Sequence, residues 1–333
     1  MIQPKKLKVV VCLDGGGTKG LMTLQMLSHL EKELGFDMTK TCDLIGGTST
    51  GGIISFCKLI NLSNEEIVDL YKKIGKEVLK FACTNITESQ SIVNTKLYTD
   101  SLTKYFGDTH IKDFCAGRKC FLMTSVSEKL VPNYKPFMLS NYDNPGRAHV
   151  GPKETLKNLS VVNCVRATSG IPGLFALPTH ESQIFMDGGY FHNNPIEATY
   201  HEALSVFGAS EAEYIIFISF GTGECPNAIN SFISNGVMNP LEKLSSFSPF
   251  KIDSPAQRIV NFMTKSSNET HLKFKAANPK VKYFRFDPIL DKNIQVNDCS
   301  DETIAYMNKV TEAYLSSFEV KNSISQLKEL LKQ

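Results

Sequence analysis

The chain has 333 residues, 42% of them hydrophobic and 21% charged, with a formal net charge of +2; this is an ordinary globular composition, long enough to bury a substantial core. So even a charge gives no support for a nucleic-acid partner, which needs a clustered basic footprint, and the KKLK run at residues 5–8 reads as a solvated tail before the first strand. The nine cysteines are odd in number, irregularly spaced and free of any C-x-x-C pair; they predict buried thiols in a reducing compartment, not a disulfide framework, a zinc site or a redox motif.

The opening MIQPKKLKVVVCLDGGG runs straight into a strand and a glycine loop with no secretory leader. No apolar run reaches the roughly 18 residues of a membrane span. The expected setting is the cytoplasm, and the glycosylation sequons at Asn61, Asn85, Asn158 and Asn268 read as accidental. Residues 8–13 are a short apolar run ended by glycines, the pattern of a buried strand. Leu21, Leu24, Leu27 and Leu30 repeat at helical spacing within 18–35, with Gly35 as C-cap. Asp43 to Gly47 is a second strand that passes directly into an apolar helical stretch, GGIISFCKLI. A helix over 64–80 follows, with Asn64 as N-cap. Later strands are expected at 120–127, 183–187 and 214–223. Pro195 opens a helix between the last two. Residues 281–286 read as an edge strand and 301–331 as helical. The stretches 81–97, 128–155 and 224–253 resist assignment, and the last reads equally as a mobile cap and as a surface excursion. Strands alternating with helices predict an α/β fold whose parallel sheet carries helices on both faces.

Three glycine-rich constellations carry the chemistry. Gly47-Thr48-Ser49-Thr50-Gly51 matches G-x-S-x-G between a strand and a helix. The two glycines permit a tight bend that exposes Ser49 at a helix N-terminus, where developing negative charge is favoured; the plainer reading is a small-residue turn with a serine cap. Asp14-Gly15-Gly16-Gly17-Thr18-Lys19-Gly20 also follows a strand and opens a helix, so its amides can cradle an oxyanion or a phosphate, with Lys19 adding charge. The string satisfies the dinucleotide G-x-G-x-x-G pattern, but the next strand ends in Gly46-Gly47 without the acid that would hold a ribose. Asp187-Gly188-Gly189 closes the strand QIFMD and alone reads as a simple turn.

A serine nucleophile needs a base. Among seven histidines, His271 completes a Ser49–Asp187–His271 triad in hydrolase chain order, but that fold builds several strands before its elbow and here one βα unit precedes Ser49. Asp187 can serve directly if burial raises its pKa, and that dyad is the preferred reading.

In this order, DGGGTKG at 14–20, GTSTG at 47–51 and DGG at 187–189 resemble the patatin-like phospholipase family. ATSGIPGLF at 167–175, NNP at 193–195 and FGTG at 220–223 extend the resemblance, which covers residues 8–223. It implies a three-layer α/β fold with a central, mostly parallel sheet flanked by helices, its core at 7–223 and a continuation of the same domain at 224–333. It implies Ser49 as nucleophile and Asp187 as proton acceptor. Gly15, Gly16 and Gly17 would form the oxyanion hole, supported by Asp14, Lys19, Gly20, Gly47, Gly51, Gly188 and Gly189. The implied reaction is calcium-independent hydrolysis of fatty acyl esters in phospholipids or galactolipids, without metal or cofactor, at the periphery of membranes or lipid aggregates. Lys19 stands where many members carry arginine, which keeps the charge and loses the planar fork. The alternatives are a general carboxylesterase or acyltransferase, a nucleotide-binding protein using Gly15–Gly20, and a non-catalytic lipid binder.

Overall fold

Strand β1 (Lys8–Leu13) runs through the middle of an eight-stranded sheet because both of its faces are apolar: Val9, Val11 and Leu13 enter one core layer, Val10 and Cys12 the other. The other strands are β2 (Leu44–Thr48), β3 (Lys119–Glu128), β4 (Lys135–Ser140), β5 (Thr179–His180), β6 (Gln183–Asp187), β7 (Ile215–Phe220) and β8 (Lys282–Phe286). The structure is a computed structural model describing residues 6–78, 93–115, 117–129, 133–147, 158–172, 174–225, 267–294 and 298–332. The strand order is β5-β6-β3-β2-β1-β7-β8, with β4 also paired to β3. Strands β3, β2, β1, β7 and β8 are parallel, while β4 and β6 run antiparallel to β3.

The helices are α1 (Gly20–Leu34), α2 (Met38–Thr41), α3 (Thr50–Leu59), α4 (Asn64–Lys73), α5 (Thr95–Phe106), α6 (Val161–Thr168), α7 (Gly189–His192), α8 (Ile196–Phe207), α9 (267–277), α10 (Asp301–Leu315) and α11 (Phe318–Leu331). Apolar residues of α1, α3, α4, α5, α6, α10 and α11 cover one face of the sheet. Ile196 and Ala203 of α8 and Phe274 of α9 pack on the other. The result is the expected three-layer α/β arrangement, with the mostly parallel sheet between its helices. No helix of the described residues is long and apolar enough to cross a membrane.

Several element boundaries differ from the sequence reading for local reasons. The 64–80 helix is capped by Ser63, whose hydroxyl accepts from the Glu66 N–H while Glu66 reaches back in a capping box, so Asn64 is its first helical residue. It relaxes into a π turn over Ile74–Val78. Pro195 occupies the N-cap of α8, one position before its expected place. The strand at 214–223 stops at Phe220, because Gly221-Thr222-Gly223 turns out of the sheet. The single helical pattern at 301–331 breaks at Ser316 and Ser317, where Ser317 caps α11. The unassigned stretch 128–155 holds β4, and 81–97 contains the start of α5. Residues 226–253 of the candidate cap lie outside the described residues. Eight described cysteines are free and six of them are buried.

Candidate active site

Register brings the three motifs to one edge of the sheet. Leu13 pairs with Gly47 of β2 and with Phe220 of β7, so the glycine loop, the serine turn and the Gly-Thr-Gly turn leave the sheet at one level. Strand β3 continues past that level. Its residues 119–123 pair with β2 and its residues 124–128 with β6. Both lie on the same edge, because β4 occupies the opposite edge across residues 121–126. Hence β2 and β6 run towards each other along β3 and stop head to head, Thr48 opposite Met123 and Asp187 opposite Thr124. This junction brings Ser49 to Asp187.

Ser49 sits on a strained bend with φ 52° and ψ −122°, a conformation held only where the surroundings over-determine it. The crowding is backbone against backbone. A Cβ on Gly51 would lie 2.4 Å from the Leu13 carbonyl oxygen, and one on Gly47 would lie 2.5 Å from the Gly51 carbonyl carbon. The Ser49 N–H donates to Thr168 Oγ1 (2.9 Å), and that hydroxyl donates in turn to the Met123 carbonyl (2.5 Å). Thr168 therefore stitches the serine turn to β3 at the junction.

Asp187 is fully buried. Its N–H donates to the Gly170 carbonyl (2.9 Å) and its Oδ1 accepts from the Gly189 N–H (2.7 Å). Its Oδ2 is buried and makes no hydrogen bond to the described residues. Burial pushes the carboxyl up to about 7, against the lowering pull of the Gly189 N–H and of the nearby Ser49 hydroxyl. The Ser49 hydroxyl thus lies near enough to the carboxyl to influence it. Gly188 is required by packing, since a Cβ there would sit 2.3 Å from the Met123 carbonyl oxygen.

The glycine loop faces Ser49: a Cβ on Gly15 would lie 3.3 Å from the Ser49 Cβ. Gly15 itself is tied down. Its N–H donates to the Asn193 carbonyl (3.0 Å), and its carbonyl accepts from Asn193 Nδ2 (3.1 Å) and Thr222 Oγ1 (3.0 Å). Of the three glycines expected to line an oxyanion hole, Gly15 therefore has its amide engaged by the Asn193 carbonyl. Asp14 is buried against Arg285 of β8, with Oδ1 at 2.8 Å and Oδ2 at 2.6 Å from the guanidinium. Lys19 is buried, and its Nζ donates to the Gly223 carbonyl at 3.3 Å. Its ammonium thus braces the loop against the end of β7, and burial lowers its pKa to about 8.

A small apolar cavity of about 60 Å³ opens beside Ser49, lined by Gly17, Ile53, Tyr71, Tyr98, Leu174 and Phe175 among others. Tyr98 ends on Ser169 Oγ (2.8 Å) and Tyr71 on the Thr50 carbonyl (3.1 Å), which leaves apolar ring surface facing the space. A larger cavity of about 280 Å³, between β4 and α8, contains neither Ser49 nor Asp187.

The triad reading does not fit this geometry. His271 Nδ1 lies 3.0 Å from the Tyr283 hydroxyl, and no described histidine contributes to the electrostatics of Asp187. Among the described residues no group of three or more His, Cys, Asp or Glu is placed to hold a metal ion. Sequence reasoning quoted Thr168, Asn193 and Thr222 within family-like segments without giving them roles. Arg285 and Asp287 it missed; their only sequence signal is a charged pair at the end of an edge strand.

The sequence profile of the patatin-like phospholipase family matches residues 11–200. The chain is 25% identical to calcium-independent phospholipase A2-gamma of Oryctolagus cuniculus, over 94% of this chain and 38% of that protein. It is 25% identical to intracellular phospholipase A2 of Caenorhabditis elegans, over 98% of this chain and 30% of that protein. It is 23% identical to phospholipase A I of Arabidopsis thaliana, over 87% of this chain and 25% of that protein. The chain thus spans well under half the length of these relatives. It belongs to the patatin-like phospholipase family.

Proposed function

We propose that this protein is a calcium-independent phospholipase A-type acyl hydrolase acting through a Ser49–Asp187 dyad, inside the cell and at the surface of membranes or lipid aggregates. One observation carries the dyad: a fully buried carboxylate, with an oxygen unpartnered among the described residues and a pKa raised by burial to about 7, sits where two strands meet head to head beside a strained serine. A base poised near the working pH combines the correct protonation state with a useful driving force for proton transfer.

Asp187 Oδ2 takes the Ser49 hydroxyl proton as Oγ attacks the ester carbonyl carbon. The oxyanion that forms is held by the Gly16 and Gly17 amides, at the positive end of the turn that opens α1. The carbonyl re-forms, the alcohol of the lyso-lipid leaves, and Asp187 returns the proton to it. Water, deprotonated by Asp187, then attacks the acyl-serine; the fatty acid departs and Ser49 regains its proton. The cavity between α3, α4 and α5 receives the start of the acyl chain against the Tyr71 and Tyr98 rings.

The test is fatty-acid release from phospholipid vesicles with a chelator present. Wild type should be active, Ser49→Ala inactive, and Asp187→Asn nearly so. Release that requires calcium, or that survives Ser49→Ala in purified protein, would overturn the reading.

A further inference from the structure

We propose that Arg285 is a positioning residue for the oxyanion-binding loop, holding Gly16 and Gly17 in place from a strand outside the matched segment 11–200. The inference rests on the assignment of those amides as oxyanion donors. Arg285 is 6% exposed. Its guanidinium bonds both oxygens of Asp14, Oδ2 of Asp287 (2.7 Å) and Ser219 Oγ (2.7 Å). Asp287 Oδ1 accepts the Gly223 N–H (2.8 Å), and the Gly223 carbonyl accepts Lys19 Nζ (3.3 Å).

These bonds form a circuit around the glycines. Asp14 precedes Gly15, and Lys19 ends the short turn Gly17–Lys19. Both ends of the loop are therefore fastened to the Arg285–Asp287 pair, one directly and one through Gly223. The guanidinium fork fixes the angle of Asp14 as well as its distance, which a lysine ammonium would not do. A buried ion cluster is a poor way to gain stability, since apolar groups of the same volume do as well or better. Its value lies in direction. Oxyanion donors work at about 2.7–3.1 Å from the developing charge, and a misplacement of about 1 Å can cost on the order of 10² in rate. Gly16 is fixed from its other side by Thr222, whose Cβ would lie 2.6 Å from an added methyl. A loop freed from Arg285 would thus swing about its Thr222 contact.

The experiment uses the full chain and the variants Arg285→Lys, Arg285→Met, Asp14→Asn and the double Asp14→Asn/Arg285→Met. It reads kcat and KM on a soluble ester, thermal unfolding, and hydrogen exchange of the peptide covering 13–21. Folded Arg285→Lys should lose about 10² in kcat with KM within about threefold, and its loop amides should exchange faster while the rest of the sheet does not change. The double variant should be no slower than the slower single, because both changes cut one circuit. If Arg285→Lys does not fold, Asp14→Asn carries the same comparison. A folded variant with kcat within about threefold of wild type and unchanged loop exchange would overturn the proposal. If the wild type hydrolyses no ester, the acyl-hydrolase reading falls, and loop exchange in Arg285→Lys still decides the positioning role: faster supports it, unchanged refutes it.

Discussion

Asp14 and Asp187 look alike in sequence and are buried in opposite surroundings. Each stands at the end of an apolar strand, each is followed by glycines, and each is buried. Burial raises both carboxyls, Asp14 to about 6 and Asp187 to about 7. The difference is the partner. Asp14 meets the Arg285 guanidinium, which opposes its rise and holds the carboxylate as a charged strut. Among the described residues Asp187 meets a single backbone N–H and a serine hydroxyl, and one of its oxygens is left over. A carboxylate with a matched cation positions what surrounds it, whereas one buried without a cation is ready to take a proton.

The largest expected effect breaks the pair on the Asp187 side. Asp187→Asn keeps the shape and removes the proposed base, so kcat should fall by about 10²–10⁴. The same change should stabilise the fold, because it removes a buried charge with an unpartnered oxygen. The pH dependence has a definite sign. The folded pKa of Asp187 lies above the unfolded value, so the folded chain binds the proton more tightly. Its contribution to stability is full below the unfolded pKa and is lost as pH climbs from about 4 to about 7. Activity runs the other way, with kcat/KM rising through an apparent pKa near 7. Urea unfolding at pH 5 and pH 8, beside a pH–rate profile, reads both trends. Asp187→Asn should flatten part of the stability slope. A wild-type rate that is flat between pH 5 and 8 would deny Asp187 the role of base.

On the Asp14 side the expected effect is on stability as much as on rate. Asp14→Asn leaves Arg285 buried with Asp287 as its remaining carboxylate, and breaking one partner out of a buried pair costs about 3–5 kcal/mol. The two asparagine variants should therefore shift the unfolding midpoint in opposite directions at pH 8, although both slow the enzyme. Midpoints moving the same way would show that the two carboxylates are not distinguished by their partners.

The legible part of the site was the part written in contiguous residues. A strand stopped by glycines announced β1 and its loop, G-x-S-x-G between a strand and a helix announced the bend at Ser49, and their order along the chain carried the fold. The head-to-head meeting of β2 and β6 was not legible, because it depends on β3 being long enough to pair with both on one edge. The bracing of Asp14 was not legible either, because Arg285 lies far along the chain and a single arginine in an edge strand carries no local signal. The expectation that all three loop glycines donate to an oxyanion missed Asn193, whose carbonyl engages the Gly15 amide. Local motifs state which groups can react; long-range pairing decides which of them are free to.

The smallest expected effect is at His271, and its smallness is informative. Its ring lies 5.5 Å from that of Tyr283, and Nδ1 shares a 3.0 Å hydrogen bond with the tyrosine hydroxyl. Burial, then the charges of Arg285 and Lys275, lower its pKa to about 4, so it is neutral wherever Asp187 is deprotonated. His271→Ala should cost about 1 kcal/mol through the lost hydrogen bond. It should also lessen the loss of stability on acidification between about pH 6.5 and pH 4, the window in which the unfolded histidine takes a proton that the folded one refuses. Turnover should stay within about twofold of wild type. A fall of about 10² or more in a folded His271→Ala protein would mean that the histidine reaches the serine during turnover; Asp187 would then orient a base instead of being one, and the contrast between the two aspartates would be one of degree.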